Sequence, residues 1–227
     1  MAKKIFITGC AKSGTTLLLR MCYAFKDTEV LYREGSNGHE LPFEQFVSYE
    51  SDKRFVIGKR HPPALLSNVL TRTLEQQYKT VKEKSIAIIN VVRDGRDVVL
   101  SDGNYVRPIR WIESIRQREL YSDVIVLEVK YEDLIRNPQK VQSEMESKLG
   151  LESQNKFSEY PDYVEDWVFE WNVSVLARRG QGNRNNYGKR KLSEVSIGKD
   201  LDAYRNICSN AEIDDFEDCL RELGYVN

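Results

Sequence analysis

The chain has 227 residues, 41% apolar and 30% charged, enough to bury one large core in a single domain spanning 1–227. Its 34 basic and 35 acidic residues leave a net charge of −1, which removes any general attraction to nucleic acid or to an anionic membrane. No stretch reaches 18 apolar residues and the opening MAKKIFITG lacks the long apolar region of a signal peptide, so the sequence predicts a cytoplasmic protein with no membrane partner.

In chain order, KIFIT at 4–8 is a short β-rich run, GCAKSGTT at 9–16 follows it, and TLLLRMCYAF then shows helical spacing. A strand–glycine loop–helix turn presents free amides, expected at 13–17, beside the positive end of a helix dipole, and the hydroxyls of Thr15 and Thr16 add donors. Such a turn cradles an anion. Gly9 and Gly14 have the separation found in G-x-x-x-x-G-K-[ST], the loop that holds nucleotide triphosphates, but Thr15 stands where the lysine belongs and the cation is Lys12. In that loop the lysine reaches the terminal phosphates and the next hydroxyl holds magnesium. A cation moved to position 12 suits a shorter anion, with chemistry at one bridging oxygen beside one phosphate.

FVIG at 55–58 predicts a second strand, and KRHPPALL at 59–66 puts His61 at its end, ahead of Pro62 and Pro63. A lone histidine is by itself more often a core or surface residue than a catalyst. ALLSNVLTRTLEQQYKTV reads as a helix and SIAIINVV at 85–92 as a third strand. The segment VVRDGRDVVLS at 91–101 brings Arg93 out at that strand's C-terminal edge, the sheet edge that also carries the loop and where α/β folds bind ligands. Ser101 lies about two helical turns further on, and a guanidinium with a hydroxyl suits a phosphate monoester. Arg96 and Asp97 are expected to brace the helix through salt bridges.

DVIVLEV at 123–129 predicts a fourth strand, followed by YEDLIRNP at 131–138 and the helical LIRNPQKVQSEMESKL. Continuous apolar strands alternating with helices predict an α/β fold with a central parallel sheet flanked by helices on both faces. The last third differs. EYPDYVEDWVFEWNVSVL at 159–176 sets Trp167 and Trp171 four apart on one helix face, a core stripe or a pocket wall. ARRGQGNRNNYGKRK at 177–191 holds six cations and no acid, and KDLDAYRNICSNAEIDDFEDCLRELGY predicts one or two amphipathic helices. Cysteines at 10, 22, 208 and 219 are too dispersed, and the two histidines too few, for a disulfide framework or a zinc site; buried thiols are expected.

Together these motifs resemble the sulfotransferases that use 3'-phosphoadenosine 5'-phosphosulfate (PAPS), whose fold is a three-layer sandwich of the P-loop NTPase type. Lys12-Ser13-Gly14-Thr15-Thr16 is similar to their K-S-G-T-T loop for the 5'-phosphosulfate, with Leu17 where many members stack a tryptophan on adenine. Arg93, Arg96, Asp97 and Ser101 fall on R-x-x-R-D-x-x-x-S, and the resemblance implies 3'-phosphate binding by Arg93 and Ser101. Lys59 and His61 fall on the K-T-H-L-P of the cytosolic small-molecule branch, with Arg60 and Pro62 departing from it. This implies His61 as general base, and Lys59 with Lys12 near the transferred group. Tyr131, in a match to Y-E-D-L-x-x-x-P, is implied to approach the adenine.

Arg178-Arg179-Gly180 resembles the triplet that closes on the 3'-phosphate, and Tyr187-Gly188-Lys189-Arg190 resembles a rival segment for that task. The implied reaction passes a sulfuryl group from PAPS to the hydroxyl, or an amine, of a small-molecule or glycan acceptor, leaves 3',5'-ADP and needs no metal. Acceptor contacts are expected from 28–54, where Glu34, His39 and Glu40 are candidates for a contact or an alternative base, and from 103–118; Tyr32, Tyr105 and Trp111 either shape that pocket or are simply packed. The competing readings are a P-loop small-molecule kinase using ATP-Mg and a nonenzymatic nucleotide-binding module.

Overall fold

The four apolar runs become strands of a five-stranded parallel sheet in a computed structural model that describes residues 2–31, 42–60, 68–101, 106–164, 192 and 203–226. The five strands are β1 (Lys3–Thr8), β2 (Thr28–Val30), β3 (Phe55–Lys59), β4 (Ala87–Val92) and β5 (Ile125–Lys130), in the spatial order β2-β3-β1-β4-β5. Around them lie α1 (Thr15–Met21), α2 (Phe43–Ser48), α3 (Asn68–Glu83), α4 (Gly95–Val99), α5 (Pro108–Leu120), α6 (Tyr131–Arg136), α7 (Pro138–Leu149), α8 (Tyr160–Tyr163) and α9 (Asn210–Glu222). The Trp167/Trp171 stripe and the basic stretch 177–191 lie outside the described residues.

Side-chain alternation along the strands sorts the core into layers. Ile5, Ile7, Ile57, Ile89 and Val91 face one side, where they meet Leu18, Leu19, Met145 and Leu149. Phe6, Val56 and Ile88 face the other and meet Phe43, Phe46 and Val81. The middle strands β3 and β4 are buried along their whole length, as a strand covered on both faces must be. Strand β5 alternates between buried and exposed residues because it lies at an edge of the sheet. The expected parallel sandwich is therefore present, with β2 as a short edge strand whose three residues were too few to give a pattern.

A third cluster extends the core beyond the sheet. Trp111, fully buried, packs with Val98, Val99, Ile112, Phe216 and Leu220, its ring centroid 4.7 Å from that of Phe216. This joins α4, α5 and α9. Helix boundaries follow local chemistry: Pro138 forces Asn137 out of helical geometry, to φ −133°, and so separates α6 from α7. Helix α9 opens on Ser209, whose amide donates to Glu212 Oε2 at 2.9 Å in a capping box.

The topology positions a site. From β1 the chain continues toward β2 and β3, whereas from β4 it continues to β5 on the opposite side. The loops leaving the C-terminal ends of β1 and β4 thus part in opposite directions, and a crevice opens between them.

Gly95 tests how tightly the third cluster is fitted. A Cβ there would lie 2.7 Å from three ring atoms of Trp111. Alanine would gain up to about 1 kcal/mol in helix propensity, but overpacking a fully buried indole costs about 1–3 kcal/mol. Gly95→Ala is expected to lower the urea midpoint with an unchanged m-value, the clash outweighing the propensity; a raised midpoint would show that the indole is free to shift.

Candidate anion-binding site

The loop after β1 is built on backbone positions that tolerate no ordinary side chain. Gly9 lies so close to β4 that a Cβ would stand 2.3 Å from the Val91 carbonyl oxygen. Gly14, at φ +94°, is the N-cap of α1, and a Cβ there would stand 2.3 Å from the ring of Tyr131. Between them Lys12 takes φ +72°, a region costly for a residue with a side chain.

The Ser13 amide is spent inside the loop, donating to the Cys10 carbonyl at 3.1 Å, which narrows the amide set expected from the sequence. The Leu18 amide donates to Gly14 at 3.0 Å as the first rung of the helix, so the amides of Thr15, Thr16 and Leu17 precede the ladder. Thr16 is partly exposed, while Ser13 and Thr15 are each 1% exposed. The Thr15 hydroxyl accepts from Lys59 Nζ at 3.3 Å. Lys59 ends β3, is also 1% exposed, and has its backbone paired with Ile7 of β1. A buried ammonium is costly unless oxygens surround it, and here it lies beside the start of α1.

Arg93 leaves β4 and crosses to the loop. Its Nη1 donates to the Lys12 carbonyl at 2.9 Å, and its Nη2 lies 3.5 Å from Asp97 Oδ2. Its guanidinium carbon is 4.3 Å from the centroid of the Tyr131 ring. Tyr131 therefore fills the space between Gly14 and Arg93 and is 8% exposed. Buried Arg93 Nε and buried Ser101 Oγ have no hydrogen-bond partner among the described residues. Uncompensated buried donors are rare, and a phosphate oxygen would satisfy them.

Arg96 instead forks onto Asp94, with Nη2–Oδ2 at 2.7 Å and Nε–Oδ1 at 3.0 Å, and Asp94 caps α4 by accepting from the Arg96 amide at 2.9 Å. This ion pair and that of Arg93 with Asp97 brace the turn. Trp111, one of the candidate pocket residues, is core, its Nε1 donating to the Arg93 carbonyl at 3.3 Å. The sequence offered no sign of this contact, since a tryptophan in a helix reads the same whether it lines a cleft or supports one.

Lys12, Ser13, Gly14, Thr15, Thr16, Lys59, Arg93 and Tyr131 thus converge at the β1/β4 crevice, and Ser101 follows α4. His61, Tyr32, Glu34, His39, Glu40, Tyr105, Arg178, Arg179, Gly180 and the rival 187–190 lie outside the described residues. Among the described residues no group of three or more His, Cys, Asp or Glu side chains is arranged to hold a metal, and no helix is long and apolar enough to cross a membrane.

No protein-family model and no curated protein matches the chain. Solved structures do, sulfotransferases among them. A sulfotransferase domain from the curacin biosynthetic pathway superposes with TM-score 0.59 at 15% identity, over 100% of this chain and 99% of that one. Mouse sulfotransferase SULT7A1, complexed with PAP, gives TM-score 0.54 at 17% identity over 97% and 83% of the two chains. The sulfotransferase domain of the Synechococcus PCC 7002 olefin synthase gives 0.50 at 16% over 96% and 95%. The five-stranded parallel sheet and its flanking helices are thus the sulfotransferase fold, of P-loop-like α/β type.

All four cysteines are free and buried. Burial raises the thiol of Cys10 from 9.0 to about 11, despite the opposing pull of Ser114 and Arg110, and raises Cys208 and Cys219 to about 11 as well; Cys22 is pushed up further. Cys10 is therefore a packed thiol under the loop, not an activated one. Native protein at pH 8 is expected to react negligibly with a thiol reagent and unfolded protein to react at all four cysteines. The unfolded thiols ionise near 9 while the folded ones keep their protons to about 11, so stability present below pH 9 should fall as the pH rises through that window. Rapid labelling of the native chain, or stability rising from pH 9 to 11, would contradict this.

Proposed function

We propose that the chain is a sulfotransferase that binds PAPS in the β1/β4 crevice and passes its sulfuryl group to an acceptor hydroxyl, or an amine, on a small molecule or glycan, releasing 3',5'-ADP. The observation that carries this reading is the Arg93 guanidinium reaching the Lys12 carbonyl at 2.9 Å. It places an arginine at the same crevice as an amide-rich helix start, as a nucleotide with an anion on each side of its ribose requires.

The residues present fit that ligand. The amides of Thr15 to Leu17 and the Thr16 hydroxyl hold the 5'-phosphate, and Lys59 and Lys12 offset charge on the leaving oxygen. Arg93 Nε and Ser101 Oγ supply the buried donors for the 3'-phosphate. Tyr131 approaches the adenine, and the basic stretch 177–191, through Arg178-Arg179-Gly180 or the rival 187–190, contributes cations to the 3'-phosphate. PAPS brings the activated sulfuryl group; the chain binds, orients and moves one proton. His61, two residues beyond Lys59, takes the proton of the acceptor, because an imidazole accepts protons efficiently near neutrality.

Calorimetry tests the donor. The protein should bind 3',5'-ADP more tightly than 5'-AMP, and Arg93→Gln should weaken 3',5'-ADP by about 10- to 100-fold, the loss of one charge-assisted contact, while sparing 5'-AMP. Equal losses would remove the 3'-phosphate role, and a preference for ATP-Mg would favour a kinase. With labelled PAPS and an acceptor panel, His61→Ala should reduce transfer by about 10²- to 10⁴-fold yet retain 3',5'-ADP binding. Excess EDTA should leave the rate intact, since lysines supply the countercharge; abolished transfer would refute that assignment.

A further inference from the structure

The turn that closes α9 carries a residue wired into the anion site without touching it. Gly224, at φ +72°, lets the chain reverse, with its amide donating to Arg221 at 2.9 Å and the Tyr225 amide to Leu220 at 2.9 Å. This paired cap directs Tyr225 back toward the junction of α4 and α6. There the Tyr225 hydroxyl donates to Glu132 Oε2 at 2.9 Å, and Glu132 Oε1 accepts from the Asp94 amide at 3.4 Å. The Asp94 carboxylate holds the Arg96 fork, and Arg96 Nη2 donates also to the Tyr225 carbonyl at 3.1 Å. Four residues from three distant segments thus close a ring of hydrogen bonds. Lys130 pins the same turn, donating to the Leu223 carbonyl at 3.0 Å with its ammonium 5.4 Å from the Tyr225 ring centroid.

The ring acts on the residues that flank the ligand site. Asp94 is the next residue after Arg93, and its backbone amide is a member of the ring. Glu132 follows Tyr131, whose ring lies against the Arg93 guanidinium. Fixing Asp94 and Glu132 therefore fixes both the stem and the stacking partner of Arg93. A guanidinium on a long stem loses binding strength when its root wanders, because several rotatable bonds must then be ordered by the ligand itself.

We propose that Tyr225, acting through Glu132 and Asp94, is a positioning residue for Arg93, so that the turn after α9 governs selectivity for a 3'-phosphate from outside the ligand site. The proposal rests on the reading of the crevice as a 3',5'-bisphosphate nucleotide site.

Tyr225→Phe removes one hydroxyl and leaves the backbone turn intact. Its 3',5'-ADP affinity should fall about tenfold, as for one hydrogen bond to a charged group, with 5'-AMP affinity unchanged. Combined with Arg93→Gln, it should cause no additional loss, because the arginine it positions is gone. In the nucleotide-free protein the Asp94 amide should exchange about tenfold faster while the Ile7 amide in β1 does not change. Glu132→Gln, which keeps one carbonyl acceptor but loses the charge, should shift all three readouts in the same sense. Wild-type 3',5'-ADP affinity in Tyr225→Phe, equal weakening of both nucleotides, or additive losses with Arg93→Gln would each overturn the positioning role. Unchanged Asp94 exchange would overturn it while leaving the nucleotide reading intact. A wild-type protein that binds 3',5'-ADP and 5'-AMP equally overturns the nucleotide reading, and the selectivity role with it.

Discussion

The hydrogen bond from Arg93 to the Lys12 carbonyl ties together two loops that the topology drives apart. The chain leaves β1 toward one side of the sheet and β4 toward the other, and this guanidinium, with the Tyr131 ring against it, bridges the gap. The bond is made to the carbonyl of a residue held in the left-handed region, where a non-glycine conformation persists only when its surroundings impose it. Arg93 supplies that imposition from outside the loop. The same side chain keeps Nε buried and without a partner among the described residues, so one residue joins the cradle together and still has a donor to offer.

Close approach is the means by which the cradle gets its shape. Gly9 brings the loop against the Val91 carbonyl and Gly14 brings it against Tyr131, at separations where any Cβ would collide. Gly95 does the same beneath α4, where Trp111 occupies the missing volume and donates to the Arg93 carbonyl. Three glycines thus hold Arg93 between the loop and the indole. The third core cluster, with α5 and α9 packed around Trp111, is in this sense the floor of the site.

Most of the fold was legible because its signals are local. The apolar runs at 4–8, 55–58, 85–92 and 123–129 correspond to β1, β3, β4 and β5, and Asn137-Pro138 marks a helix break. Strand β2 was not legible: three half-buried residues acquire strand geometry only from the ladder offered by β3. The glycine loop and Arg93 could be placed at one sheet edge from sequence because a parallel sheet gathers all strand C-termini on one side. The burial of Thr15 against Lys59 and the ring through Tyr225 could not. Each joins residues brought together by the fold: Tyr225 is 93 positions from Glu132 and 129 from Arg96. No spacing rule reaches across such distances.

The displaced lysine has a structural counterpart. Thr15 holds the place that a triphosphate loop gives to its lysine, and the ammonium found at that threonine is Lys59, delivered at 3.3 Å from the end of β3. A lysine at position 15 would bring its charge on the same segment that carries the amides. A lysine rooted in a buried central strand, its backbone registered against Ile7, comes from the sheet side instead and is fixed before any ligand arrives. Positioning of this kind lowers the cost of ordering a cation at the moment it is needed. It also confines that charge to one point under the start of α1. On the proposed reading, that point lies beside the bridging oxygen at which a phosphosulfate is cleaved.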